Sequence, residues 1–162
     1  MGTEREPLQQ LNKLRGSKTV ILGIGSLLKG DDGAGPLICQ QLLKAGVSAD
    51  VIDAGTVPEN YIQSIIRKAP QNLIIVDAID FGASSGDVRI FKPDELSSLV
   101  ISTHTLSPRL LVDMVCKSIE VNVSFVGIQP AQTQLGQPIT PKVNNALQKL
   151  VTLLIEIFPP AK

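Results

Sequence analysis

Residues 19–45 read TVILGIGSLLKGDDGAGPLICQQLLKA, and this stretch decides the fold. Its first six residues are a continuous apolar run, rich in β-branched side chains and ended by glycine, as expected of a strand buried on both faces. Residues 33–45 then carry Leu37, Ile38, Leu42 and Leu43 at helical spacing, and residues 49–52 supply a short second strand. The result is one β-α-β unit, whose two strands must run parallel.

The alternation continues along the chain. Pro58 can open a helix that turns Tyr61, Ile62, Ile65 and Ile66 inward, and Pro70 closes it before a buried strand at 73–76. Residues 88–92 form a short strand after a Ser-Ser-Gly turn, placed towards the sheet edge, with a minor helix from Pro93. Ser107-Pro108 and Thr140-Pro141 each pair an N-cap with proline at the first helical position, and a strand at 121–128 lies between the two helices they open. Strands alternating with helices predict a single-domain, three-layer α/β/α sandwich around a mostly parallel twisted sheet.

Composition narrows the function. A chain of 162 residues with 43% apolar and 19% charged residues is long and apolar enough to fold as one domain without staples. Fifteen basic residues balance fifteen acidic ones, which leaves no basic face for a phosphate backbone, so nucleic acid is not expected as a partner. Cys39 and Cys116, the only cysteines, sit among apolar neighbours in predicted helices and read as buried small hydrophobes.

Residues 1–17 carry scattered charges and no apolar core of signal-peptide length, and later apolar runs are too short to span a bilayer. Glu6 stands where a myristoylation signal needs Ser or Thr. The expectation is a cytoplasmic protein with no membrane insertion, a loosely ordered tail over 1–17 and a domain over 18–160.

In open α/β sheets, ligands bind beyond the carboxyl ends of the strands, where strand order reverses. If the first three strands lie in the order 2-1-3, Asp32 after strand one and Asp77 after strand three meet at one crevice. The sole histidine, His104, precedes a helix on the same side. Two carboxylates and an imidazole suit a borderline divalent ion such as nickel or zinc, and three protein ligands leave positions open for water or substrate.

Each residue also has a plainer reading. Asp32 could simply cap the first helix, His104 could be a surface residue, and Asp53 could satisfy turn amides. Asp77 ends a buried strand, where a carboxylate is costly unless it is paired or used. Asp31, Asp80 and Lys29 are weaker candidates.

Rival chemistries fit less well. Gly23-Ile-Gly25 with Asp53 suggests a nucleotide-binding oxidoreductase, but Leu28 occupies the third glycine position, and Asp31 and Asp32 stand where pyrophosphate would need helix amides. No nucleophile elbow, Walker loop or His-Glu-x-x-His helix occurs. A non-proteolytic metal-handling or metal-sensing chaperone using the same crevice stays open.

Five motifs follow in order: GIGSLLKGDDGAGP at 23–36, DAGTVPEN at 53–60, IVDAIDFG at 75–82, STHTL at 102–106 and FVGIQP at 125–130. Together they resemble the hydrogenase maturation endopeptidases, particularly the hydrogenase-3-type branch, over residues 19–158. The resemblance implies a phosphorylase/hydrolase-like fold and a hydrolase that removes the C-terminal extension of a [NiFe]-hydrogenase large-subunit precursor. It assigns Asp32, Asp77 and His104 as the catalytic, metal-binding trio, with nickel presented by the precursor and the free enzyme metal-free. A monomer is expected. Ser26 departs from the asparagine that many relatives carry after Gly-Ile-Gly.

Overall fold

The computed structural model describes residues 8–98 and 107–161. Strands β1 (Thr19–Ile24), β2 (Asp50–Gly55), β3 (Asn72–Ala78), β4 (Val88–Phe91) and β5 (Asn122–Ile128) form one sheet in the order β2-β1-β3-β5-β4. The expected 2-1-3 arrangement is present, with β1 paired in parallel to both β2 and β3. β5 continues the parallel set against β3, while β4 closes the edge antiparallel to β5, matching Phe91 with Phe125.

Helices α1 (Ala34–Ala45) and α4 (Pro141–Ile157) cover one face, and α2 (Ile62–Lys68) and α3 (Pro108–Cys116) cover the other. The division follows side-chain alternation along the strands. Ile21, Ile74, Val76 and Val126 join Ile38, Leu42, Leu147 and Leu150 in one core. Val20, Leu22, Leu73, Ile75 and Phe125 meet Ile62, Ile65, Leu111 and Val115 in the second. Every residue of β1 is buried, which explains why its sequence shows no polar alternation. The three-layer sandwich is therefore as expected.

Local differences have physical reasons. The helix expected at 33–45 begins as a 3-10 turn, Gly30–Gly33, before α1 proper. The N-terminal segment is docked rather than loose from residue 8 on. Leu8, Leu11 and Leu14, spaced by three as a 3-10 turn requires, pack into the α1/α4 core, with Leu11 only 1% exposed. Ser107 caps α3 as predicted, accepting a hydrogen bond from the Leu110 N–H at 3.1 Å. Thr140 occupies the matching position before α4, but its hydroxyl turns away to Asp31. No helix among the described residues is long and apolar enough to cross a membrane.

The two cysteines differ, which corrects the expectation that both are buried. Cys39 is fully buried, and desolvation, then the charge of Asp53, push its thiol up to about 12 against a weaker opposing hydrogen bond from Gly23. Cys116 is exposed, because α3 turns Leu111, Val112 and Val115 to the core and the next residue falls on the outer side. Its thiol is also raised, by partial burial and then by Asp113. A thiol reagent at pH 8 is expected to label Cys116 alone, and slowly, in the native chain, with Cys39 reacting only in denaturant. Peptide mass mapping checks this, and native labelling of Cys39 would contradict it.

Candidate active site

Three loops leave the carboxyl ends of β1, β3 and β5, and backbone geometry locks the first of them down. Gly25 has φ +143°, and a side-chain carbon there would stand 1.9 Å from the Asp32 carbonyl oxygen, so only glycine lets the loop fold onto the 3-10 turn. The Gly25 N–H donates to the Gly55 carbonyl at 2.9 Å, tying this loop to the exit of β2. The next N–H, of Ser26, donates to Asp32 Oδ2 at 2.9 Å. Asp32 is 2% exposed and stands just before α1, where the helix dipole favours a negative charge.

The start of α1 is pressed against both central strands. A side-chain carbon on Gly35 would lie 2.4 Å from the Ile24 carbonyl oxygen and 2.8 Å from that of Val76. Asp77 follows Val76 directly, is fully buried, and pairs in register with Gly127 of β5. The fold thus brings Asp32 and Asp77 to the carboxyl end of the two central strands, near the point where α1 meets β1 and β3. Alternation along β3 assigns Asp77 to the Leu73 and Ile75 face, the face covered by α2 and α3. His104, three positions before the cap of α3, lies outside the described residues. Among the described residues no three His, Cys, Asp or Glu side chains group as a metal site.

The weaker candidates take structural parts. Asp31, also fully buried, accepts from the N–H groups of Ala131 at 2.8 Å, Gln132 at 3.1 Å and Thr140 at 2.7 Å. The Thr140 hydroxyl adds contacts of 3.0 and 2.9 Å to its two oxygens. Asp31 therefore latches the loop after β5 onto the turn that carries Asp32. Asp53 accepts from the Gly55 N–H at 3.2 Å, which is the plainer turn role. Asp80 is held below the usual carboxylate range by hydrogen bonds from the Gly82 N–H and then the Gln129 amide. Lys29 lends its carbonyl to the Asp32 N–H. Ser26 holds Asp32 through its backbone N–H, a task any residue but proline performs, and its hydroxyl accepts from Leu28 N–H at 3.2 Å. Serine or asparagine at position 26 would therefore hold Asp32 alike.

Two residues escaped the residue-by-residue reading. Gln129, 6% exposed at the end of β5, accepts from the N–H groups of Phe81 and Ala83 at 2.8 and 3.2 Å and donates to Asp80 at 3.1 Å. It braces the loop that follows Asp77. Glu59, in the turn after β2, has a buried Oε2 with no hydrogen-bond partner among the described residues. Their signals in the sequence are the FVGIQP and DAGTVPEN motifs that contain them. A groove of about 720 Å³ beside α4, lined by residues such as Leu8, Arg15 and Lys149, contains none of the candidate residues.

A family model described as hydrogenase maturation protease matches residues 38–157, which is most of the chain and includes Asp77 and His104. The chain belongs to the hydrogenase maturation proteases. The hydrogenase 3 maturation protease of Escherichia coli strain K12 is 37% identical over 131 residues, covering 80% of this chain and 83% of that protein. Among solved structures, the [NiFe] hydrogenase maturation protease HycI of Thermococcus kodakarensis KOD1 matches with TM-score 0.83 and 29% identity, over 91% of this chain and 97% of that one. The endopeptidase HycI of Escherichia coli matches with TM-score 0.77 and 35% identity, over 83% and 87%. As a hydrogenase maturation protease the chain is a hydrolase, an endopeptidase of hydrogenase maturation. The oxidoreductase reading loses its ground, since buried carboxylates occupy the helix start that a pyrophosphate would need.

Proposed function

We propose that this protease removes the C-terminal extension of a nickel-loaded [NiFe]-hydrogenase large-subunit precursor, acting as a cytoplasmic monomer. The observation that carries the reading is a pair of buried carboxylates, Asp32 and Asp77, at the carboxyl ends of two adjacent parallel strands in a chain of this family. Burial of charge at such a mouth is retained where it is used. The names of relatives that match, a hydrogenase 3 maturation protease among them, support the substrate.

Asp32, Asp77 and His104 complete the coordination of nickel that arrives with the precursor. Their grip fixes the tail so that its scissile carbonyl rests beside the crevice, and holding the reactants in place supplies much of the rate. A divalent ion so held can polarise a water or a carbonyl oxygen. The backbone N–H of Ser26 orients Asp32, and Gln129 steadies the loop behind Asp77.

The test mixes the purified chain with precursor, with and without nickel loading, and follows the large-subunit mass. Loss of the tail from the nickel-loaded precursor alone is the expected result. Equal cleavage of nickel-free precursor would refute nickel as the grip, and binding without any cleavage would favour the chaperone reading.

A further inference from the structure

Large exposed apolar side chains gather on the loops around the candidate site. Leu27 and Leu28, after β1, are 49% and 69% exposed, and Leu135, after β5, is 73% exposed. These are not isolated residues on floppy loops. The Gly136 N–H donates to the Leu28 carbonyl at 2.8 Å, and the Gly30 N–H donates to the Gln137 carbonyl at 3.0 Å. Asp31 binds the same two loops together from below through Ala131, Gln132 and Thr140. Leu27 also packs over the turn that carries Asp32, its Cδ2 3.4 Å from where a side-chain carbon on Gly33 would stand. The three leucines thus ride on a hydrogen-bonded platform continuous with the Asp32 turn.

We infer that this platform is the docking surface for an apolar, uncharged stretch of the polypeptide substrate, next to the tail that is cut. The inference rests on the reading of the site given above and adds where the substrate body is held. An endopeptidase whose buried carboxylates lie at the mouth of its sheet must bring its substrate across the rim of that mouth. The loops after β1 and β5 put Leu27, Leu28 and Leu135 on that rim. A surface ordered before binding loses little entropy when a partner covers it. Three leucines fall far short of the ~800 Å² that each partner of a stable dimer buries, which favours a transient substrate over a second copy of the chain.

The experiment compares the full chain with the double variant Leu28→Ser plus Leu135→Ser on nickel-loaded precursor, over a range of precursor concentrations. Both positions are exposed, and the bond from Gly136 uses only the backbone of Leu28, so the variant should unfold at the parent temperature. The expected result is a KM raised at least about tenfold, with kcat kept within about twofold. An unchanged KM overturns the inference. So does an unchanged KM combined with lost self-association in sedimentation, which would assign the leucines to a second copy. A parent chain that never shortens the precursor overturns the reading of the site, and this inference with it.

Discussion

Asp77→Asn is expected to slow tail removal by more than about 100-fold while the protein stays folded. Even partners that only orient metal ligands are worth 10–100-fold, so loss of a gripping carboxylate should exceed that range. The change keeps the side-chain volume and one acceptor oxygen at a fully buried site, which is why the fold should tolerate it. Asp32→Asn should behave alike, since the Ser26 N–H can still donate to the remaining amide oxygen. Precursor mass against time measures the rate, and thermal unfolding reports on the fold. A rate within tenfold of the parent would remove the residue from the site.

Asp31→Ala should act in the opposite sense, on stability first. It strips three backbone N–H groups and the Thr140 hydroxyl, all in part-buried hydrogen bonds, of their acceptor. Hydrogen bonds to a charged group contribute about 1.5–3 kcal/mol each, but the loop will relax and admit water, so the expected loss is about 3–5 kcal/mol. For a domain of this size that lowers Tm by on the order of 10 °C. Asp31→Asn keeps one acceptor oxygen and should lose roughly half as much. Urea unfolding measures both, and a parent-like midpoint for Asp31→Ala would refute the latch. The Asp31 and Asp32 variants thus separate neighbouring carboxylates: Asp31, which holds loops, and Asp32, the proposed nickel ligand.

The fold was legible wherever local pattern and packing agree. The apolar run at 19–24, rich in β-branched residues, read as a strand covered on both faces, and its alternation with helices implied the parallel pairing of β1 with β2 and β3. The antiparallel direction of β4 was not legible, because a short edge strand beside a long connection satisfies its alternation either way. Cys116 misled because its neighbours in sequence are apolar, whereas exposure depends on its angle around α3. The docked N-terminal turn was present in the spacing of Leu8, Leu11 and Leu14, but scattered charges around it masked the three-residue period.

For the site, position relative to the strand ends marked out Asp32 and Asp77 before any geometry. The task of Asp31 was hidden because its partners lie 100 to 109 positions away, beyond any local motif. Thr140 shows the same limit: its helix-start signal is sound, yet a distant carboxylate claims its hydroxyl. Gln129 braces the loop after β3 from 46 to 49 positions away, again through tertiary contact alone.

We propose that Asp32, Asp77 and His104 close on the nickel carried by the precursor. Nickel X-ray absorption on the precursor, alone and mixed with the protease, tests it directly. Mixing is expected to add nitrogen and oxygen donors to the nickel shell, and Asp77→Asn to diminish the change. A nickel spectrum identical with and without the protease would contradict it.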